Sequence, residues 1–415
     1  MPKFDKFLPP ALLLALAACA ASEMDMAGSL TVRQNTPPVT VPLIIEGDQI
    51  LLEVQADGPD GKSRKLLANL NMGGPFSGWQ QHVYDEVGHI QGQPVKFHVG
   101  GIPVEVAPGG SARMEEASYP KRQSGFFFFT HNVEGQLQAG LWEHFDITLD
   151  YQAKTLTLAS PGTLPHDGTP VPIKVNSKTG LATVDFIVDG KPYPMVIDAG
   201  GAYSWVRRSV AGEWLKAHPN WERGKGAVGL ANYNMTDYSG EQEGTLLRIP
   251  KAALGPMEID NVGVLGVGGG FGPLNAISSE YFFDQWQKDA PEPVVAWLSA
   301  NVLKHYRLTI DYKDRISYWK KLGEIDPHEL DQVGLNLVYD NGVFFVGRIV
   351  TKDGKPTAEA VESGDKLLAI DDAPVQGWSR DQLFGALGGK PGDIHRITVE
   401  RSGKTLTVPL PVIAF

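Results

Sequence analysis

One tetrapeptide occurs twice in this chain, and the copies differ at the position that decides the chemistry. Asp198-Ala199-Gly200-Gly201 begins with a carboxylate, and Asn71-Met72-Gly73-Gly74 begins with an amide. A serine stands six residues after the first residue of each copy, at Ser204 and Ser77. A carboxylate in such a turn can act as a general acid or base, because Gly200 and Gly201 let backbone N–H groups approach it closely. Two carboxylates crowded together share one proton, and their apparent pKa values split. An amide donates and accepts hydrogen bonds but cannot shuttle a proton. If positions 71 and 198 meet, the chain offers one carboxylate where proton sharing needs two.

The surrounding pattern predicts strands that would position both tetrapeptides. Ile50, Leu52 and Val54 alternate with Leu51, Glu53 and Gln55. Turn chemistry follows at Asp57-Gly58 and Asp60-Gly61, and residues 65–70 return into Asn71. Residues 182–188 and 191–197 repeat this unit around Asp189-Gly190 and return into Asp198. A second repeated element closes each unit: residues 144–151 (HFDITLDY) match 305–312 (HYRLTIDY), and each precedes another strand. Asn71 lies 127 residues before Asp198, whereas Asp150 lies 161 before Asp311. The second unit therefore carries extra chain, expected between Trp214 and Gln287.

Other features carry less chemistry. Gly266-Val267-Gly268-Gly269-Gly270 lacks a following Lys-Ser or Lys-Thr and reads as a mobile surface loop, not a phosphate loop. Residues 280–289 read as a short helix, and the phenylalanines at 126–129 as a buried strand. The ten histidines show no metal-ligand spacing, so neither metal nor cofactor is expected. Ser77 and Ser204 stand in no nucleophile motif with histidine.

With 415 residues, 42% hydrophobic and 20% charged, the composition is that of a globular protein. Its 47 glycines and 30 prolines favour a turn-rich, mainly β fold. A net charge of -11 argues against nucleic acid as a partner. Lys3 and Lys6 precede an apolar stretch, residues 7–18, too short to span a bilayer. It ends at Leu16-Ala17-Ala18-Cys19, and Cys19 is the only cysteine. This stretch resembles a bacterial lipobox. The resemblance implies a signal peptide at 1–18, lipidation of Cys19, and a tether over 19–38. It also implies a periplasm-facing envelope protein held to the membrane by its lipid; Ala20 resembles outer-membrane sorting. The alternative is a plain secretory signal with an incidental cysteine.

The repeated units resemble the lobes of retropepsin-like and pepsin-type aspartic proteases. Asp198-Ala199-Gly200-Gly201-Ala202-Tyr203-Ser204-Trp205-Val206 is similar to that family's Asp-Thr-Gly-Ser-Ser segment followed by Trp-Val, and the closing strands resemble its Leu-Thr-Ile-Asp-Tyr element. The resemblance implies two pseudo-symmetric β lobes, 39–160 and 166–322. Asp198 and Asn71 would be the catalytic positions, with Gly73, Gly74, Gly200 and Gly201 in the active-site loops. Ala199 and Met72 replace the hydroxyl residues that cross-link these loops in the family. The glycine of the supporting element becomes Gln138 and Ser299. Residues 330–412 resemble an α+β PDZ domain, through Val333-Gly334-Leu335-Asn336-Leu337, Ser363-Gly364-Asp365 and Pro391-Gly392. Its helix is expected at 379–387. Gly334, Leu335, Asn336 and Leu337 would then take a peptide's terminal carboxylate.

Two functions follow, with extended peptides or protein C-termini as partners. One is proteolysis through Asp198, unaided or paired with Asp198 of a second copy. The other is an inactive scaffold or substrate-capture protein that binds peptides by strand addition.

Overall fold

The computed structural model describes residues 27–415, except 33–36, 59, 76, 89–92, 109–110, 115–130, 132, 222, 237 and 269–280. Cys19 with its signal stretch, and the phenylalanines at 126–129, lie outside the described residues. The fold is mainly β.

Two units share one strand plan. In the first, Ser63–Leu70 runs parallel to Gly135–Leu137, which lies antiparallel to Ser77–Gln80. In the second, Lys191–Ile197 runs parallel to Ala296–Leu298, which lies antiparallel to Trp205–Arg207. A further parallel strand flanks each set, Ser111–Met114 in one and Met257–Val267 in the other. The hairpin of Ala182–Val188 and Lys191–Ile197 closes at Asp189 and Gly190, with φ of 52° and 76°. Two left-handed residues make a turn whose twist matches that of the strands.

Six antiparallel strands, one stretch of a 14-stranded sheet, join the units. Asp146–Asp150 pairs with Tyr306–Asp311 at its centre. Thr155–Ala159 and Val39–Glu46 extend one side, and Ile316–Lys321 and Thr169–Pro172 the other. Thr148 faces Thr309, with their hydroxyls 2.8 Å apart. Asp146 faces Asp311 on one side of that pair, and Asp150 faces Arg307 on the other. These pairs exchange under the 161-residue repeat, so a local twofold axis passes between the two threonines. Alternation drives the sheet: Ile147, Leu149, Leu308 and Ile310 are buried in one apolar core that runs through both units. Burying each such side chain contributes roughly 1.5–3 kcal/mol, and the second unit adds an apolar cluster of its own around Val196, Tyr203, Leu246, Leu265 and Trp297.

Two expectations need correction. Residues 19–38 are not all tether, because Leu30–Val32 is a strand paired with Ile102–Val106. Leu30 and Val32 point inward and Thr31 outward, enough alternation to recruit the segment to the sheet. The glycine run is not wholly a surface loop either. Gly266 and Val267 end the strand Met257–Val267, and a Cβ on Gly266 would stand 2.6 Å from the Ala211 side chain. The extra chain of the second unit lies where spacing put it, and includes Arg223–Lys225, the 3-10 helix Gly229–Asn232 and Ser239–Gln242.

The C-terminal module has its own apolar cluster. Its sheet runs Gln332–Val333, Lys404–Ile413, Ile394–Arg401, Lys366–Ile370, Val343–Ile349, Leu335–Asp340, with the last strand at the edge. Its helix, Arg380–Leu387, starts in a capping box. The Gln382 N–H donates to Ser379 Oγ, and the Ser379 N–H donates to Gln382 Oε1. Thr351–Lys352 pairs with Arg223–Lys225, which ties the module to the second unit's sheet.

Candidate functional site

Each tetrapeptide leaves its strand through the same hydrogen bond. The Asn71 N–H donates to the Leu137 carbonyl at 3.1 Å, and the Asp198 N–H to the Leu298 carbonyl at 2.9 Å. Further on, Ala139 N–H donates to the Gly74 carbonyl and Ala300 N–H to the Gly201 carbonyl. The two loops are thus fixed alike, and the topology turns them towards each other.

They meet closely. Asp198 Oδ1 accepts the Gly200 N–H at 2.8 Å from its own loop and the Gly73 N–H at 3.0 Å from the opposite one. A Cβ on Gly73 would stand 2.5 Å from the carboxylate carbon, and one on Gly200 3.0 Å from Asn71 Cα. A side chain at 73 would collide with the carboxylate, and one at 200 would press on the Asn71 backbone and the Leu70 carbonyl. Gly74 packs on the Asn71 side chain, and Gly201 beside Asp198 and Ser299. The loops enter no hydroxyl cross-link through positions 72 and 199, because Met72 and Ala199 are buried apolar side chains. Two other links replace it: the Gly73 N–H to Asp198, and the Trp297 indole N–H to the Gly73 carbonyl at 3.2 Å.

Asn71 and Asp198 line a single pocket of about 130 Å³. Gly73, Gly74 and Ser299 complete its floor, and Trp205, Tyr233, Trp286 and Trp297 are among its walls. Trp205 lies 5.6 Å from Tyr233 and 5.5 Å from Tyr238, centroid to centroid. Trp286 meets Trp297 edge-on at 5.9 Å. Such walls suit an apolar or aromatic side chain.

Burial pushes the Asp198 carboxyl up to about 6, while N–H groups of Gly200, Gly73 and Gly201 hold it down. Near neutral pH this group can therefore both take and give a proton. Burial, and then the Asp198 charge, push the Tyr233 phenol well above its ordinary value. It stays a neutral hydrogen-bonding wall.

The brace behind the loops is unequal. Asn301 Oδ1 accepts both the Ser204 N–H and the Ser204 hydroxyl, at 2.9 and 2.8 Å. Its Nδ2 donates to the Gly263 carbonyl, and Ser299 N–H donates to Ser204 Oγ. In the first unit Gln138 Oε1 accepts the Ser77 N–H at 2.7 Å, and the return bond from Gln138 N–H to Ser77 Oγ is long, 3.4 Å. Gln138 and Ser299 do occupy matching positions, each at the N-cap of a one-turn helix.

Gly334, Leu335, Asn336 and Leu337 do not line this pocket. Gly334 accepts the Val350 N–H, and Leu335 packs in the module's core. Asn336 Nδ2 donates to the Ala227 carbonyl, and Leu337 N–H to Asn232 Oδ1. Tyr203, Trp205, Tyr233, Trp286 and Trp297 also line the pocket, and none of them was a candidate site residue from the sequence. The available signal for Trp297 was its place two residues before Ser299, in the apolar run Ala296-Trp297-Leu298.

No protein-family model matches the chain, and no curated protein matches it.

Proposed function

We propose that this chain is a peptide-binding protein of the aspartic-protease type whose cleft holds extended peptides without efficient hydrolysis. The observation that carries the reading is the pairing of Asp198 with an amide, Asn71, across a shared pocket floor. Hydrolysis by an aspartate pair needs one carboxylate to take a proton from water while the other gives one to the scissile carbonyl. Asp198 can do the first. Asn71 can donate a hydrogen bond to the carbonyl oxygen but has no proton to give. The aromatic walls would seat one peptide side chain, and the pocket floor would bond the backbone beside it. Lipidation at Cys19 and a PDZ-like module at 330–412 fit the same role: a peptide reader held at the bacterial envelope.

The test is cleavage of a diverse peptide pool between pH 3 and 7 by wild type, Asp198→Asn and Asn71→Asp, with bound peptides recovered in parallel. The reading expects equal, near-zero cleavage by wild type and Asp198→Asn, peptides retained by both, and new cleavage in Asn71→Asp. Wild-type cleavage that vanishes in Asp198→Asn would overturn it in favour of a working protease.

A further inference from the structure

The edge strand Leu335–Asp340 and the helix Arg380–Leu387 flank a groove, and that groove is already filled. The 3-10 helix Gly229–Asn232 of the second unit touches both of them. Two N–H groups on one side of the edge strand point into the groove: Leu337 donates to Asn232 Oδ1 at 2.6 Å, and Tyr339 to the Met235 carbonyl at 2.8 Å. Asn336 adds a side-chain bond to Ala227 at 3.1 Å. Met235 is fully buried in the module's apolar cluster, with Leu337, Leu383 and Phe384. Its φ of 50° is left-handed, a conformation uncommon for a residue with a side chain.

The same segment reaches the candidate site. Tyr233, between Asn232 and Met235, is a wall of the Asp198 pocket. A second path joins module and pocket floor. Arg380 Nη1 donates to Gln49 Oε1 at 2.6 Å, and Gln49 Nε2 donates to the Gly200 carbonyl at 3.2 Å. The groove helix is thereby bonded, through one residue of the first unit, to the loop that holds the carboxylate.

We propose that residues 227–235 are an internal ligand of the C-terminal module, and that an extended peptide competing for its groove withdraws Tyr233 and opens the Asp198 pocket. The competitor's chemistry follows from what it replaces. It must offer hydrogen-bond acceptors to the N–H groups of Leu337 and Tyr339, and an apolar side chain of methionine size to the site of Met235. Occupancy in cis lowers the apparent affinity for any such peptide, because the open groove is the minor state. The inference goes beyond the reading above, and its test uses neither cleavage nor capture in the cleft, so the two can fail separately.

The test compares the full chain with Asn232→Ala and Met235→Ala. Hydrogen exchange is read at the Leu337 and Tyr339 amides, and acrylamide quenching reports the pocket tryptophans. Both variants are expected to exchange about tenfold faster at these amides, with greater quenching. The probe is a peptide of sequence AVGLANANM, which is the internal segment with alanine for its tyrosine, as free acid and as amide. It should restore amide protection without restoring the tryptophan shielding. A free acid that protects more strongly than the amide identifies C-termini as the competing class; equal protection identifies internal segments. Faster exchange with unchanged quenching would overturn the coupling. Unchanged exchange in both variants, or no protection by either probe, would overturn the internal-ligand assignment. Exchange at Thr148 and Thr309 reports whether the shared sheet is intact; where Met235→Ala disturbs it, Asn232→Ala decides.

Discussion

The loops at 71 and 198 are topological equals with unequal support. Behind Asp198 stands a closed network, in which Asn301 accepts twice from Ser204 and donates to Gly263 while Ser299 N–H bonds the serine oxygen. Behind Asn71 the Gln138 side chain makes one short bond, accepting the Ser77 N–H, and the Gln138 backbone N–H makes one long bond to Ser77 Oγ. The repeat position of Asn301 is Gly140, and a Cβ there would stand 3.0 Å from Ala27 Cα. The first unit has no room for the asparagine, because the segment at residue 27 packs where it would sit. The comparison teaches that the costly half of the site is the half with the charge: an ionisable group in a buried floor must be held, and an amide needs less.

Breaking the stronger brace tests this most severely. Asn301→Ala leaves two donors of Ser204 and the Gly263 carbonyl without partners, at roughly 1–3 kcal/mol each. We expect a total loss of about 3 kcal/mol or more in denaturant unfolding, and about 1–2 kcal/mol for Gln138→Ala. Equal losses would erase the distinction between the loops.

The charge itself comes next. In the folded chain the Asp198 carboxyl is raised from 3.8 to about 6. The folded state therefore binds the proton more tightly than the unfolded one. That stabilisation is fully present below pH 3.8 and is lost as pH rises through about 6. Asp198→Asn should match wild type near pH 4 and exceed it at pH 7, by about 3 kcal/mol at most. Burial raises Glu241 and Glu329 to about 7 as well, so wild type should lose more over this range than Asp198 alone accounts for. A variant no more stable at pH 7 than at pH 4, relative to wild type, would mean that the charge is not the burden.

Asn71→Asp sharpens the comparison by equalising it. Two carboxylates across one floor should titrate in two apparent steps, one below and one above the present value of Asp198, visible by carboxyl NMR. Repulsion should cost on the order of 2 kcal/mol at pH 7. Two ordinary titrations would place the side chains out of each other's reach. The smallest effect belongs to the axis. Thr148→Val and Thr309→Val should each cost about 0.5–1 kcal/mol, and the double variant no more than either, because they remove one shared bond.

Much of this was legible in the sequence where local rules and tertiary structure agree. The strands 182–188 and 191–197 fall where the Asp189-Gly190 turn put them, and the helix after Ser379 starts at its capping box. The repeat also foretold that positions 71 and 198 share a floor. What stayed hidden depends on contacts distant in sequence. Leu30–Val32 is too short to announce itself and exists as a strand because Ile102–Val106 offers an edge. Tyr233 stands in the pocket wall on a segment held from two sides, by Leu337 and Tyr339 of the C-terminal module and by Glu241, which accepts from Asn232 and Asn234. No periodicity in residues 227–235 records those bonds.

The sheet through Thr148 and Thr309 also fixes what half of this chain would do alone. Tyr306–Asp311 is an interior strand only because Asp146–Asp150 covers its outer side. Stripped of that cover, it would present a row of open N–H and C=O groups, and the best match for the row is a second copy turned half a revolution about Thr309. Such a pairing would bring two copies of Asp198 to one floor. Severed from its amide-bearing twin, the second half carries the latent geometry of a symmetric two-carboxylate assembly.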